Sequence, residues 1–370
     1  MHNKNLTGLR GWAAFFVVIQ HAILHYDIGN WLRLAMSPIS SFSGLQDWAT
    51  GLALIIFSGD TAVVVFFVMS GLVLHESLIR SKEGWLRLSA IFAIKRIFRI
   101  YPAVIMCTLI TAAMGEFWQL VELPTKIFTE ENVIQNLTLQ GNLVLGVSWT
   151  LTIEILSIAF ILPVFFINRL AGVSAMAIAV GYSLIATENK ALVFGITNMH
   201  QAMLAMIAGM ALATPQAKAV FSTFGKWTWA PLLVFLLFGN HINGAWTPSS
   251  VILRVMCASL FVGTLRYATN SKIDYFLSSK PSQYLGTISF SFYIFNVPIL
   301  YAAYALTPSL PAQYAVVAGL PLAIITGALT VPIAAIMYRL IEVPGIRIGS
   351  NISSWISSKE RVQAAATDSN

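Results

Sequence analysis

Residues 313–339 read QYAVVAGLPLAIITGALTVPIAAIMYR, and no side chain in this stretch is charged before Arg339. A helix needs about 20 consecutive apolar residues to cross the hydrocarbon core of a bilayer, so this stretch predicts a membrane span. Similar apolar runs recur along the whole chain. The sequence therefore predicts an all-α fold, a polytopic membrane helical bundle of about ten transmembrane helices. The predicted spans cover residues 9–27, 54–77, 99–118, 147–167, 171–187, 191–213, 228–242, 250–268, 284–306 and 313–339.

The amino-acid composition excludes a soluble protein. Of the 370 residues, 57% are hydrophobic and 10% are Asp, Glu, Lys or Arg, whereas soluble proteins contain roughly 45–50% and about 25%. Most of the exterior must therefore face lipid, which excludes a soluble enzyme and a disordered scaffold. The net charge of +7 is scattered between apolar runs, without the basic clusters that bind nucleic acid. No nucleic acid partner is predicted.

The basic residues predict the orientation of the bundle, because short cytoplasmic loops hold an excess of Lys and Arg. With the N-terminus in the cytoplasm, the outer side keeps only Arg33, Lys126, Lys190 and Arg254 of the 22 basic residues. Both termini are therefore predicted to be cytoplasmic. Residues 1–349 are predicted to form the membrane domain and residues 350–370 a short cytoplasmic tail. The first apolar run lacks a cleavage-site pattern, so it is expected to be a retained helix and not a signal peptide.

Polar residues inside membrane spans are costly and are functional candidates for that reason. Arg10 and His21 are eleven residues apart, which on a helix means about 16 Å along the axis and within about 20° of one face. This spacing suits a long ligand with an anionic head and a reactive far end, and acyl-coenzyme A has that shape. The alternative is a topology signal at Arg10 and a helix-packing hydrogen bond at His21. The spacing does not decide between them.

Two further charged features lie in or beside apolar runs. Arg96 and Arg99 fall at i and i+3 on one helical face; they could join Arg10 in binding phosphates or form an ordinary positive-inside cluster. Glu154 lies in the outer part of the span 147–167 in this topology. A desolvated carboxyl there could act as an acid or base or orient a histidine. A structural hydrogen bond to another helix is the alternative.

The remaining metal-ligating residue types do not predict a metal site. His25 follows His21 by one helical turn, but the sequence offers no third ligand of the right type nearby. Cys107 and Cys257 each lie within an apolar run, so they are predicted to be buried thiols and not a disulfide.

Six motifs occur in the order that is typical of one family, and through them the chain resembles the acyltransferase-3 family of polytopic membrane acyltransferases. The motifs are Leu6–Gly11 followed by His21, Phe66–Gly71, Arg96–Arg99 with Ile100–Pro102, Ser148–Glu154, Ser289–Phe295 and Tyr338–Pro344. Asn296 departs from the family pattern, which commonly has a histidine there, and Ala62 and Val64 replace a glycine and a polar residue. The chain also ends without the extracytoplasmic hydrolase-like domain of some members, so the membrane domain is expected to act alone.

The resemblance implies acyl transfer, with acetyl as the leading acyl group, from cytoplasmic acyl-CoA to a hydroxyl of a cell-surface polysaccharide or a lipid-linked sugar. It implies that Arg10, Arg96 and Arg99 bind the donor. It implies that His21 acts as general base or accepts the acyl group itself, and Glu154 is expected to hold or polarise that imidazole. Acyl-CoA is then a substrate, with no permanently bound cofactor and no metal. The family also implies a bacterial inner membrane.

Two other classes of protein would also use ten spans and buried polar groups. One is a transporter or flippase for a glycan or lipid intermediate, and the other is a non-catalytic subunit or sensor that binds acyl-CoA. The ordered motifs favour the enzyme. No seryl nucleophile is required in this hypothesis, and Ser70 beside Gly71 is interpreted as a helix-packing residue.

Overall fold

The computed structural model describes residues 3–26, 28–29, 31–115, 127–242, 244, 247–268, 272–307 and 310–367. These residues form helices and connecting loops without a β-strand, so the predicted all-α fold is confirmed. The α-helices are α1 (Lys4–Leu24), α2 (Gly44–Ile56), α3 (Gly59–Ile79), α4 (Trp85–Ala113), α5 (Glu130–Leu137), α6 (Trp149–Leu156), α7 (Ile158–Ala171), α8 (Val173–Glu188), α9 (Met199–Leu212), α10 (Pro215–Phe221), α11 (Trp229–Phe238), α12 (Pro248–Tyr267), α13 (Lys272–Ser278), α14 (Lys280–Thr287), α15 (Ser289–Leu306), α16 (Ala315–Met337) and α17 (Val343–Thr367).

Several of these helices have the length and apolar character of membrane spans. Six spans meet both requirements among the described residues, and a seventh results if α9 and α10, bent by 81°, are taken together. Two shorter apolar helices, α8 and residues 229–241, add to them. The 16 residues of α8 extend about 24 Å, less than the roughly 30 Å of a bilayer core. The chain is therefore a multi-pass membrane protein, but the predicted number of ten spans is not confirmed.

The helix that carries the paired arginines begins earlier than the sequence predicts. The predicted span started at residue 99, whereas α4 starts at Trp85 and continues for 29 residues. Arg96 therefore lies about 16 Å from the start of the helix, and only 6% of its surface is exposed. A hydropathy pattern does not predict the burial of Arg96, because a charged side chain can be buried when a partner compensates its charge. The arginines lie within the bundle and not at its rim.

Close helix contacts at the centre of the bundle depend on glycine. A Cβ atom added to Gly71 of α3 would overlap the backbone carbonyl of Met206 in α9, and one added to Gly209 of α9 would overlap the carbonyl of Val68. The two helices thus contact each other backbone to backbone, as small residues permit in membranes. A backbone-to-backbone contact of the same kind joins α1 to α14, where a Cβ atom added to Gly286 would overlap the carbonyl of Thr7.

The predicted span 147–167 consists of two helices. The short helix α6 follows a 3₁₀ turn at Gly146–Ser148, and α7 begins after a break at Ser157. The Ser157 hydroxyl donates to the backbone carbonyl of Glu154 at 2.7 Å. This break ends α6 two residues after Glu154 and holds the end of α6 in place.

Candidate functional site

A narrow cavity of about 100 Å³ lies among α1, α3, α4, α6 and α15. We call it the inner cavity. Four of the five predicted site residues line it, namely Arg10, Arg96, Arg99 and Glu154. Apolar side chains such as Phe66, Phe67 and Leu151 form most of the remaining wall. The structure therefore brings three guanidinium groups and one carboxylate from three helices into a largely apolar environment.

Glu154 is held by two side chains of the inner cavity. Arg96 Nη2 lies 3.3 Å from Glu154 Oε2 and donates to the Glu154 backbone carbonyl at 3.2 Å. The Ser70 hydroxyl donates to Glu154 Oε1 at 3.1 Å. The carboxylate oxygens thus bind Arg96 and Ser70 and not His21. The interpretation of Ser70 as a packing residue is corrected, because Gly71 makes the close helix contact while Ser70 faces the cavity.

Arg10 and Arg99 differ from Arg96 in their partners. Within the part of the chain that the structure describes, neither forms a hydrogen bond or an ion pair, although both lie within electrostatic range of Glu342. The Glu342 carboxylate is 4% exposed and accepts a hydrogen bond from the Ser291 hydroxyl at 2.7 Å. Both arginines are half-buried, and a guanidinium group carries five N–H donors that a ligand can use. The cavity can therefore bind an anion through Arg10 and Arg99, while Arg96 already has its carboxylate.

His21 lies farther along α1, outside the lining of the inner cavity. Its backbone carbonyl accepts a hydrogen bond from the Tyr304 hydroxyl at 2.8 Å, and its ring has no hydrogen-bond partner among the described residues. The side-chain oxygen of the preceding Gln20 accepts from the backbone N–H of Gly59. This bond fixes α1 against the start of α3, and Asp60 there is within electrostatic range of His21. The acid near His21 is thus Asp60 and not Glu154.

Sequence reasoning missed Asp60, although a signal was present. The same argument that selected Glu154, an acid within an apolar run, applies to Asp60 in the predicted span 54–77. Tyr293 was also missed; it lines the inner cavity, and its hydroxyl lies 3.2 Å from that of Thr150. Tyr293 falls in one of the quoted motifs, but nothing in the pattern distinguished it from its aromatic neighbours.

Other polar residues of the spans have structural contacts. The His25 ring stacks on Tyr304 at 4.0 Å and lies 3.3 Å from the Thr307 hydroxyl. Asn296 is buried and donates to the backbone carbonyls of Phe292 and Tyr293. Across the described ranges, no three His, Cys, Asp or Glu side chains are grouped so as to hold a metal ion. These contacts give His25 and Asn296 roles in packing.

Comparison with known proteins identifies one family. A family model described as an acyltransferase domain (Acyl_transf_3) matches residues 3–339, nearly the whole chain. No curated protein and no solved structure matches.

Proposed function

The chain belongs to the acyltransferase-3 family and is a membrane acyltransferase; on this premise we propose that it transfers an acetyl group from cytoplasmic acetyl-CoA to a hydroxyl of a cell-surface polysaccharide or lipid-linked sugar. The proposal places it in a bacterial inner membrane with both termini in the cytoplasm. The observation that carries it is the pair of guanidinium groups, Arg10 and Arg99, which form no hydrogen bond or ion pair with the described residues and line a largely apolar cavity. His21 lies three helical turns beyond Arg10 on the same helix.

Donor binding in this proposal begins at the inner cavity. Arg10 and Arg99 bind phosphate oxygens of the coenzyme through charge-assisted hydrogen bonds. The largely apolar wall around them excludes water, which strengthens these bonds. The pantetheine arm then extends along α1, because His21 lies about 16 Å beyond Arg10 on that helix. This arrangement brings the thioester to the imidazole.

The chemical step takes place at His21. Its neutral imidazole removes the proton from the acceptor hydroxyl while the oxygen attacks the thioester carbonyl carbon. A C–O bond forms, the C–S bond breaks, and the thiolate of coenzyme A takes the proton from the imidazolium. In the alternative route a ring nitrogen attacks the thioester carbon, the C–S bond breaks, and the departing thiolate takes the ring N–H proton. The acceptor oxygen then attacks the acyl carbon, the N–C bond breaks, and the ring takes the hydroxyl proton. Both routes give the same products, an ester and free coenzyme A.

Replacing Arg10 or Arg99 by alanine is expected to weaken donor binding. A hydrogen bond to a charged group contributes about 1.5–3 kcal/mol, so each change should raise the apparent KM for acetyl-CoA about 10- to 100-fold. The apparent KM for the acceptor should change little. Steady-state kinetics of the purified protein with each substrate varied in turn measures both values.

Arg96→Ala is the matched control because Arg96 is paired with Glu154. It leaves the Glu154 carboxylate, which is 21% exposed, with one partner fewer, so it should lower thermal stability more than Arg10→Ala or Arg99→Ala does. Equal donor KM values in native protein, Arg10→Ala and Arg99→Ala would remove the two cations from the donor site.

The proposed reaction is tested on the product. Surface glycans are analysed by mass spectrometry from source cells, from cells lacking the protein, and from the latter after restoring the native chain. We expect an acyl group that disappears with the protein and returns with it, and the mass difference identifies the group. Glycans of unchanged mass but reduced amount at the surface would instead indicate a transporter.

A further inference from the structure

Arg254 of α12 is a buried cation outside the donor site. The sequence placed it among the four basic residues on the outer side of the membrane, and in the structure its surface is 2% exposed. A buried guanidinium is stable only when neighbouring groups compensate its charge and bind its N–H donors. The neighbours of Arg254 therefore determine what it can do.

One edge of the Arg254 guanidinium is held by the turn that precedes α12. Asn240 lies in this 3₁₀ turn, Gly239–His241, and is 1% exposed. With its amide oxygen facing the guanidinium, Asn240 accepts from Arg254 Nε at 2.9 Å and donates to the Ser250 backbone carbonyl at 2.8 Å. These two bonds fix the direction in which the guanidinium extends from α12.

The acid beside Arg254 is Asp60, in the first turn of α3. The two side chains lie within electrostatic range of each other, and Asp60 is half-buried. A buried guanidinium attracts a carboxylate more strongly than an exposed one does, because little water screens the pair. Asp60 thus has a cationic partner that holds its carboxylate in place.

The first turn of α3 also lies against the helix that carries His21. The Gln20 side-chain oxygen accepts from the Gly59 N–H, and a Cβ atom added to Gly59 would lie 3.4 Å from the Cα atom of Val17. His21 follows Val17 by one helical turn and projects from nearly the same face of α1. The imidazole therefore lies close to the start of α3, with Asp60 within electrostatic range.

The start of α3 affects the charge that His21 acquires during the reaction. In both routes of the chemical step, the ring carries a positive charge until a thiolate takes its proton. The N-terminal end of a helix carries a partial positive charge, which opposes a second positive charge nearby. A carboxylate at the same place reverses the sign of this effect. Asp60 thus favours the imidazolium where it forms.

Resting on the proposed function, we infer that Asp60 and Arg254 are positioning residues for acyl transfer: Arg254 holds the Asp60 carboxylate, and the carboxylate stabilises the His21 imidazolium. No proton passes to Asp60. The acceptor hydroxyl gives its proton to the imidazole, and the imidazolium gives it to the thiolate of coenzyme A. Because the donor phosphates bind elsewhere, changes at Asp60 and Arg254 act on the chemical step and not on donor binding.

Steady-state kinetics of purified Asp60→Asn tests the role of the carboxylate. A neighbouring charge shifts a proton equilibrium by about one to three powers of ten, so kcat should fall about 10- to 100-fold while the KM for acetyl-CoA changes little. Asp60→Glu keeps the charge and should restore part of the lost kcat. Asp47→Asn is the matched control, because Asp47 lies in the first turn of α2 and is paired with Arg33. Its loss should lower stability and leave kcat unchanged. A native kcat in Asp60→Asn would overturn the inference.

A double-mutant cycle tests whether Arg254 acts through Asp60. Arg254→Gln alone should lower kcat, because the carboxylate loses the group that holds it. In the Asp60→Asn background the same change should lower kcat no further, since both residues then act through a group that is already absent. Independent kcat losses that multiply in the double variant would contradict the inference.

The melting temperatures of the same variants separate this role from a structural one and require no acyl transfer. Asp60→Asn should melt below the double variant, because it leaves the buried Arg254 cation without its carboxylate. A double variant that melts higher and still has a low kcat supports positioning, whereas recovery of kcat with stability would refute it. A native chain that transfers no acyl group but shows this order of melting temperatures refutes the proposed function alone. Acyl transfer by the native chain and equally by Asp60→Asn refutes this inference alone.

Discussion

Replacing His21 by alanine is expected to abolish the acyl modification when the variant is returned, at matched membrane abundance, to cells that lack the protein. Removing a general base or an acyl carrier slows a reaction about 10²- to 10⁴-fold, which exceeds the effect expected for either donor-site arginine. Protein stability should change little, because the His21 ring has no hydrogen-bond partner among the described residues. Mass spectrometry of the surface glycans measures the product.

His25→Ala is the matched control for His21→Ala on the same helix. The His25 ring stacks on Tyr304, so its loss should lower stability modestly and leave the acyl modification in place. The mechanism fails if the His21→Ala chain restores the acyl group as fully as the native chain does. A parallel loss in both variants would indicate disruption of the end of α1 and not the removal of a catalytic group.

Gly71→Val is expected to prevent correct folding. The added side chain would overlap the backbone carbonyl of Met206, and a backbone atom cannot move aside as the end of a flexible side chain can. Overpacking costs about 1–3 kcal/mol where side chains can adjust, so we expect a loss of about 3 kcal/mol or more here. The measurement is the fraction of detergent-extracted protein that elutes as a single species and its melting temperature.

Gly181→Ala provides the control for Gly71→Val within the same bundle. Among the described residues, no atom beyond the neighbouring backbone of α8 lies within 4 Å of a Cβ added at Gly181, and alanine favours a helix over glycine by roughly 1 kcal/mol. This variant should extract and melt like the native protein or slightly better. If Gly71→Val melts like Gly181→Ala, the close approach of α3 and α9 is not required for the fold.

The placement of Glu154 shows where reasoning from one helix at a time fails. The sequence indicated correctly that an acid in so apolar a run needs a partner. The hypothesis that this partner is His21 differs from the structure. The break at Ser157 and the long helix α4 place Arg96 Nη2 3.3 Å from Glu154 Oε2. Which helix faces which is set by packing, for instance by the glycines that let α3 and α9 touch. Such contacts leave no periodic signal in either helix.

Composition and motif order determined what this protein is in outline. Long apolar runs cannot leave their backbone groups unpaired in lipid, so they predicted an all-helical membrane bundle, and the six motifs predicted the family that matches residues 3–339. Helical periodicity placed Arg10 and His21 on one face because both lie on a single continuous helix. Only the tertiary structure decided the partners of the charges: Arg96 with Glu154, Ser291 with Glu342, and Asp60 near His21. The physical reason is that a buried charge is stabilised by groups from other helices, and their proximity depends on packing across the whole bundle.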